Sequence, residues 1–281
     1  MSHTIGLDLG GTKVLGIVAN SDHKVVHRKK HRLSNRADIS AVMDQIGNVY
    51  VELAGQIGNE EITSVGIALP SPVDNELGHA KHLTAFQEKE VPVRDMLKER
   101  TGVDIKLGND VNMATLAEYK FGAGKGVSSL FTFYPGTGLG GGYIYKGKLV
   151  TGFNSTAAEV GHVVIDIDGP LCKCGRHGCL EAIVSYHGLK TILSEKLAAG
   201  ATCVLDPSGF RAADIFDAWR TGDPVITELL KYQARALGIG IANVINITGV
   251  ERIILGLSLI HISEPTRRYA IAYAGVCVKK K

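Results

Sequence analysis

The segment Leu7-Asp8-Leu9-Gly10-Gly11-Thr12-Lys13 joins two short apolar runs through a pair of glycines. Thr4 to Asp8 and Lys13 to Ala19 have the length and composition of strands, and Gly-Gly is a common hairpin turn. A third run, Lys24 to Leu33, completes a predicted β-meander. Amides exposed in such a turn can bind phosphate oxygens, and Asp8 can orient a magnesium ion through water. A simple hairpin without a ligand is the alternative, because the spacing matches neither the P-loop nor the dinucleotide fingerprint.

Downstream of the meander, helical and strand patterns alternate. Apolar residues in Ile39 to Ile57 recur with a period close to 3.6, which predicts a helix packed on one face. The remaining predicted elements of this half are a strand at Ile62 to Leu69, a helix at Val91 to Thr101, a strand at Val103 to Leu107 and a helix at Val111 to Phe121.

The second half repeats this programme. A strand at Ser128 to Tyr134 is followed by the glycine loop Gly136 to Gly142, a strand at Gly142 to Tyr145 and a hairpin turn at Lys146-Gly147. Later elements are helices at Glu181 to Leu197, Arg211 to Thr221 and Pro224 to Ile245, and a strand at Arg252 to Leu255. Each half therefore has three strands followed by helix, strand, helix and strand. This repetition predicts a duplicated α/β lobe with a cleft between the copies. Two glycine loops could together hold one polyphosphate.

Asn109-Asp110 follows a predicted strand and precedes a predicted helix. Ligands gather at the carboxyl ends of strands in open α/β sheets, so a carboxylate at this position could accept the proton of an attacking hydroxyl. An ordinary turn or helix cap explains Asn-Asp equally well.

The pattern Cys172-x-Cys174-x4-Cys179, with His162 ten residues upstream, predicts a metal site. Three thiols and one imidazole complete a tetrahedral zinc shell, and a shell without an open position is structural. His177 is a rival ligand, and unpaired thiols in a loop are the alternative. Two carboxylates, Glu159 and Glu181, flank the cysteines, and zinc would therefore hold groups that can accept hydrogen bonds from sugar hydroxyls.

These motifs together resemble the ROK family of bacterial sugar kinases and sugar-responsive repressors, in order and spacing from residue 4 to about 256. The segments that carry the resemblance are Asp8 to Lys13, Gly66 to Asp74, Asn109 to Asn112, Gly136 to Gly142, Glu159 to His162 and Cys172 to Glu181. The resemblance implies duplicated actin-like, ribonuclease-H-like ATPase lobes with an interlobe cleft. We expect an N-terminal lobe at residues 1–115 and a C-terminal lobe with the zinc knuckle, incomplete at its end, at residues 116–256.

The resemblance also implies a set of functions for individual residues. Asp110 would be the base that deprotonates a sugar hydroxyl, usually the 6-hydroxyl, and Asn109, Glu159, His162 and Glu181 would contact the sugar. The phosphates of ATP, with Mg²⁺, would be held by Asp8, Gly10, Gly11, Thr12, Lys13, Gly136, Thr137, Gly138 and Gly140. Structural zinc would be held by His162, Cys172, Cys174 and Cys179. The function implied is phosphorylation of a hexose or N-acetylhexosamine, and a sugar-sensing regulator without its DNA-binding domain is the alternative.

The chain departs from the family pattern in three places. Ser71 and Ala158 stand where the family usually has glycine, and both lie near the implied sugar site. After Gly256 the family pattern ends altogether. The string from Leu257 to Arg267 resembles a sequencing adapter translated in frame, so we interpret residues 257–281 as a non-native tail and expect the chain in this form to be a poor kinase. A divergent native tail is the alternative.

The amino-acid composition excludes several general classes of protein. Hydrophobic residues make up 45% of the 281 residues and charged residues 21%, which is globular composition and excludes a mainly disordered chain. No apolar run approaches the ~20 residues of a membrane helix, and the N-terminus lacks the pattern of a secretory signal, so we expect a cytoplasmic protein. The formal charge of +3 gives no reason to expect a nucleic-acid partner. The expected partners are a sugar, ATP and further copies of the chain, as a homodimer or homotetramer.

Overall fold

The computed structural model describes residues 2–58, 60–206, 208–256 and 278–279. The chain divides into two compact units. Unit 1 comprises Met1–Ala114 and Gly152–Thr156, and unit 2 comprises Thr115–Thr151 and Ala157–Lys281. The proposed tail, residues 257–281, lies outside the described residues except for Val278–Lys279.

Unit 1 is built on a five-stranded mixed sheet. Its strands are β1 (Ser2–Leu9), β2 (Lys13–Asn20), β3 (Val25–Arg32), β4 (Glu61–Leu69) and β8 (Ile105–Asn109). They lie in the order β3-β2-β1-β4-β8. The helices of this unit are α1 (Ile39–Ile57) and α2 (Val93–Thr101), followed by α3 (Asp110–Phe121), which runs on into unit 2. The strands and helices predicted for this half are therefore present, with boundaries shifted by at most two residues.

Alternating burial explains how the sheet and α1 pack. In β1 and β2 every second residue is buried, and these residues form one core with the apolar face of α1. Gly16 lies on the same face of β2, where a Cβ atom would come within 2.9 Å of Val49 in α1. The close approach of the helix therefore requires a residue without a side chain at this position.

A small second sheet of unit 1 was not predicted. It consists of β5 (Val73–Asp74), β6 (His79–Leu83) and β7 (Glu88–Val91), in that order. Asp74 accepts hydrogen bonds from the amides of Glu76 and Leu77, which forms the turn between β5 and β6. Strands of two to five residues are too short to show a hydrophobic period, so the sequence pattern gave no signal for them.

Unit 2 contains the second five-stranded sheet, in the order β11-β10-β9-β12-β13. Its strands are β9 (Leu130–Pro135), β10 (Leu139–Tyr145), β11 (Lys148–Leu149), β12 (Arg252–Leu255) and β13 (Val278–Lys279). The helices are α4 (Leu180–Val184), α5 (Tyr186–Ala198), α6 (Ala212–Arg220) and α7 (Pro224–Thr248). Phe131, Phe133, Leu180 and Val244 belong to the main core of this unit.

Three elements in unit 2 differ from prediction, and one of them is α7, which continues three residues beyond its predicted end, to Thr248. The helix expected at Glu181 to Leu197 is two helices, because Ser185 has extended backbone and its hydroxyl caps α5 by accepting from the amide of Gly188. Strand β10 begins at Leu139, so Gly140, Gly141 and Gly142 are strand residues and not loop residues. Within the described part of the chain, no helix combines the length and apolar character needed to cross a membrane.

Candidate functional site

The carboxyl ends of three parallel strands bring two acidic residues of unit 1, Asp8 and Asp110, to one edge of its sheet. Asp8 in β1 is in register with Ala68 in β4, and Leu69 in β4 is in register with Asn109 in β8. Asp110, the first residue of α3, follows immediately. Residues separated by about a hundred positions in the sequence thus share the edge at which ligands bind in open α/β sheets.

Asn109 is a helix cap, as one interpretation of its sequence position predicted, and it also contacts the carboxylate of Asp110. Its side-chain oxygen accepts a hydrogen bond from the amide of Asn112 at 3.0 Å, so the residue does cap α3. Its side-chain nitrogen donates to Asp110 Oδ1 at 3.1 Å and to the carbonyl of Ser71 at 3.3 Å. The cap therefore also fixes the orientation of the neighbouring carboxylate.

The environment of Asp110 changes its acidity. Burial raises the pKa of its carboxyl from 3.8 to about 6, and the negative charge of Asp8 adds to this rise. The amide of Val111, which donates to Oδ1 at 2.8 Å, and the Asn109 amide act in the opposite direction. A carboxylate with a pKa near 6 is ionised at neutral pH and still basic enough to accept a proton.

The first glycine turn forms a tight hairpin between β1 and β2. The amide of Gly10 donates to the carbonyl of Lys13 at 2.9 Å, and the carbonyl of Thr12 accepts from Leu33. The guanidinium of Arg36 donates to the carbonyl of Gly11 at 2.9 Å and so places a positive charge beside the hairpin. Nothing in the sequence pattern identified Arg36, because it lies in a polar loop without a motif.

The second glycine turn is shorter than expected. Only Gly136, Thr137 and Gly138 lie between β9 and β10, and the amide of Gly136 donates to the carbonyl of Gly138 at 2.8 Å. The structure places Gly140 opposite Tyr134 in the strand ladder, outside the turn. The glycines that follow serve packing, since a Cβ on Gly142 would collide with Thr115 and one on Gly141 would lie 2.6 Å from the carbonyl of Ala158.

Glu181 is held against this second hairpin. Its Oε2 accepts a hydrogen bond from the amide of Leu139 at 2.8 Å, and a Cβ on Gly138 would lie 2.6 Å from the same oxygen. Glu159 belongs to the same electrostatic group. Although Glu159 is exposed to solvent, the protein atoms around its carboxyl raise its pKa, His162 opposes this rise and Glu181 adds to it.

Ala158 adopts a backbone conformation that favours glycine. Its φ angle is +65°, in the left-handed region where a Cβ atom is strained. We expect Ala158→Gly to raise the free energy of unfolding by about 0.5–1 kcal/mol, because relief of strain outweighs the added flexibility of the unfolded chain. Chemical denaturation would measure the change. Ala157→Gly is the matched control, since the φ of Ala157 is not positive, and it should destabilise. Equal destabilisation by both substitutions would contradict the prediction.

The predicted zinc ligands lie together in unit 2. The donor atoms of His162, Cys172, Cys174 and Cys179 all fall within 4.8 Å of one another. Cys172 Sγ is 3.7 Å from His162 Nδ1, and the Sγ atoms of Cys174 and Cys179 are 3.5 Å apart. Tetrahedral zinc with bonds of about 2.0–2.3 Å separates its ligands by roughly 3.5–3.8 Å, so the donor set fits the ion.

The rival ligand His177 is occupied elsewhere. Its Nδ1 lies 3.1 Å from the carbonyl oxygen of Gly169, and it is not part of the four-residue group. The thiols of the group differ in acidity. Hydrogen bonding by Arg176 lowers the pKa of exposed Cys174 to about 6, whereas burial raises that of Cys179 to about 12. Metal binding therefore has to displace a proton from Cys179.

An open apolar cleft of about 80 Å³ borders the second hairpin in unit 2. Gly136 forms part of its wall, and the apolar lining includes Tyr186, Leu189, Ile215 and Phe216. The sequence pattern gave no indication of this cleft, because its walls come from four separate segments with no common motif.

The comparisons with known proteins agree on one family. A sequence model described as the ROK family matches residues 4–269. The glucokinase of Thermotoga maritima is 32% identical over 279 residues, covering 96% of this chain and 87% of the relative.

Solved structures show the same fold. A ROK family glucokinase from Streptomyces griseus, in complex with glucose and AMPPNP, superposes with a TM-score of 0.74 at 27% identity and covers 98% of this chain and 90% of its own. A ROK family transcriptional regulator, a homolog of the E. coli Mlc protein, superposes with a TM-score of 0.80 at 25% identity. The match covers 97% of this chain and 69% of the regulator. The predicted actin-like α/β class is thus confirmed.

Proposed function

This chain belongs to the ROK family, and from that premise we propose that it is a sugar kinase that transfers the γ-phosphoryl group of ATP to the 6-hydroxyl of a hexose or N-acetylhexosamine. The observation that carries the proposal is the Asp110 carboxylate. It lies at the carboxyl end of β8, is oriented by Asn109 and has a pKa of about 6.

In the proposed reaction, Asp110 accepts the proton of the sugar hydroxyl while that oxygen attacks the γ-phosphorus. The bond from phosphorus to the bridging oxygen breaks, and ADP leaves with the electron pair. Little covalent chemistry is asked of the protein in such a transfer, so positioning and charge stabilisation matter most. Asn109 orients the Asp110 carboxylate. Because the amides of Asn109 and Val111 both donate to Oδ1 of Asp110, we assign its Oδ2 as the oxygen that accepts the incoming proton.

We assign the phosphates of ATP to the two hairpins, Gly10–Lys13 and Gly136–Gly138. Backbone amides and the hydroxyls of Thr12 and Thr137 are the donors that each turn can offer. The apolar cleft beside Gly136 is proposed to hold the adenine, which favours ATP over inorganic polyphosphate as donor. Magnesium, when bound with ATP, neutralises phosphate charge, and Asp8 is the carboxylate proposed to orient its water.

Sugar hydroxyls are proposed to bind Asn109, Glu159, His162 and Glu181. In unit 2, zinc held by His162 and the three cysteines would tie the segment that follows Glu159 to the start of α4, which carries Glu181. The chemistry that zinc would supply here is structural, since four protein ligands leave no position for substrate.

The pH dependence of kcat/KM tests the assignment of Asp110. Because only the ionised carboxylate can accept the proton, and because its pKa is raised to about 6, activity should be lost as pH falls through 6. We expect a level profile near pH 7–8 and a decrease of about tenfold per pH unit well below 6. Steady-state rates with sugar limiting would measure it. Glu159→Gln should lower the rate and keep the acid limb; disappearance of the limb in that variant would reassign the base to Glu159.

Coupled measurement of ADP release tests the function itself. The panel is glucose, mannose, fructose, allose and N-acetylmannosamine, each with ATP or polyphosphate. Turnover with ATP and at least one sugar would support the proposal. The sugar-sensing regulator is the less supported alternative, because the Thermotoga maritima glucokinase is 32% identical to this chain and the regulator structure 25%. Sugar binding by calorimetry without turnover on any member of the panel would favour it.

A further inference from the structure

Ser71 occupies an unusual position between the two sheets of unit 1. It follows β4, is flanked by Pro70 and Pro72, and is only 2% exposed. Its hydroxyl accepts a hydrogen bond from the amide of His82 in β6 at 2.9 Å and donates to the carbonyl of Pro72 at 2.8 Å. The hydroxyl therefore ties the Pro70-Ser71-Pro72 connection to the small sheet and uses both of its hydrogen-bonding functions.

The main chain of the same residue contacts the proposed catalytic pair. The carbonyl of Ser71 accepts a hydrogen bond from Asn109 Nδ2 at 3.3 Å, and this nitrogen also donates to Asp110 Oδ1. The amide of Asn112 occupies the side-chain oxygen of Asn109. Asn109 thus has three hydrogen-bonding partners, and Ser71 is the one that comes from the connection between β4 and β5.

We infer that Ser71 is a positioning residue: its hydroxyl holds the connection so that its carbonyl orients Asn109, and Asn109 in turn orients Asp110. The inference rests on the proposed function, since it concerns the same carboxylate. Ser71 itself is not assigned a contact with substrate.

A loosened Asn109 has a predictable electrostatic consequence. Besides its own backbone amide, the groups acting on Asp110 are the Asp8 carboxylate from β1, the Val111 amide from α3 and the Asn109 amide from β8. The Val111 and Asn109 amides both stabilise the ionised form, so weakening the hydrogen bond from Asn109 leaves burial and Asp8 less opposed. The ionisation of Asp110 should then move to higher pH. Sugar affinity should also decrease, because Asn109 is a proposed sugar ligand.

Ser71→Ala tests the inference, with Ser40→Ala as its matched control. Ser40 also lies in unit 1, and its hydroxyl accepts from Arg100 at 2.7 Å, far in sequence from the Asn109 anchor. For Ser71→Ala we expect the acid limb of kcat/KM to rise by about 0.4–1 pH unit and KM for sugar to rise several-fold. At pH 8, kcat should fall less than KM rises. Ser40→Ala should leave the limb and KM unchanged.

A second measurement separates this inference from the proposed function. The carboxyl carbon of Asp110, followed by NMR in aspartate-labelled protein, reports its titration without any turnover. An upward shift in Ser71→Ala supports the inference even if the intact chain shows no kinase activity, which would defeat only the proposed function. Unchanged titration in folded Ser71→Ala overturns the inference. If this variant does not fold, Ser71→Cys, with its weaker hydrogen bonds, takes its place, and an unchanged titration there overturns it equally.

Discussion

Asp110→Asn is expected to lower kcat by about 10²–10⁴-fold, which is the contribution typical of a positioned general base. Asparagine keeps the shape of the side chain and cannot accept the proton of the sugar hydroxyl. Sugar affinity, measured by calorimetry, should remain within a few-fold of the original, since Asn109, Glu159 and Glu181 are unchanged. Turnover within a few-fold of the original, at saturating sugar and ATP, would remove Asp110 from the mechanism.

The same substitution should not destabilise the protein. Because the folded-state pKa of Asp110 is raised, the ionised carboxylate is less favourable in the folded state than in the unfolded state above pH 6. We expect Asp110→Asn to raise the free energy of unfolding at pH 8 by on the order of 1–3 kcal/mol. Asp95→Asn is the matched control, because Asp95 lies in the first turn of α2 and is exposed. It should change neither activity nor stability appreciably. A large destabilisation by Asp110→Asn would show that its loss of activity is structural.

Cys179→Ser is expected to abolish stoichiometric zinc binding and to lower the melting temperature by roughly 10 °C. Cys179 is fully buried, and losing one of four ligands removes metal binding energy that contributes directly to folding. A loss of several kcal/mol corresponds to a shift of that size for a unit this large. Sugar affinity should fall as well, because the segment after Glu159 and the start of α4, which carries Glu181, would lose the metal that joins them. Elemental analysis, thermal unfolding and calorimetry are the measurements.

Two controls sharpen the zinc experiment. Cys203→Ser removes a half-buried thiol outside the four-residue group and should retain one zinc per chain. His162→Ala should lose the metal, whereas His177→Ala should keep it, because His177 contacts Gly169 instead. Purified protein without zinc, or Cys179→Ser with unchanged zinc content, would refute the site.

Local patterns predicted most of the secondary structure. Helix α1 was predicted at its observed boundaries, since its apolar residues repeat at the helical period and pack on one sheet face. The β1–β2 hairpin was equally readable, because a glycine pair between two apolar runs leaves few other conformations. Both signals lie within one element or one turn, where residues close in sequence are close in space. Periodicity failed for β5, β6 and β7, which are too short to display it.

The glycine run after β9 shows where the local pattern was misleading. Seven residues with five glycines predicted a long loop, yet three of these glycines lie in β10. The reason is tertiary: Thr115 and the backbone of Ala158 leave no space for side chains at Gly142 and Gly141. The sequence alone does not distinguish a glycine that is required for close packing from a glycine that is required for a turn.

The sequence by itself determined which residue types could carry the chemistry, namely a carboxylate after a strand, two glycine turns and three thiols with a histidine. Only the tertiary structure decided their state. Strand register brings Asp8 to the edge that carries Asp110, and together with burial this raises the pKa of Asp110. Chain folding selects His162 over His177 as the companion of the cysteines, and it places Ser71 against Asn109. Acidity, ligand choice and orientation depend on distances between residues that are far apart in the chain, and no local pattern encodes those distances.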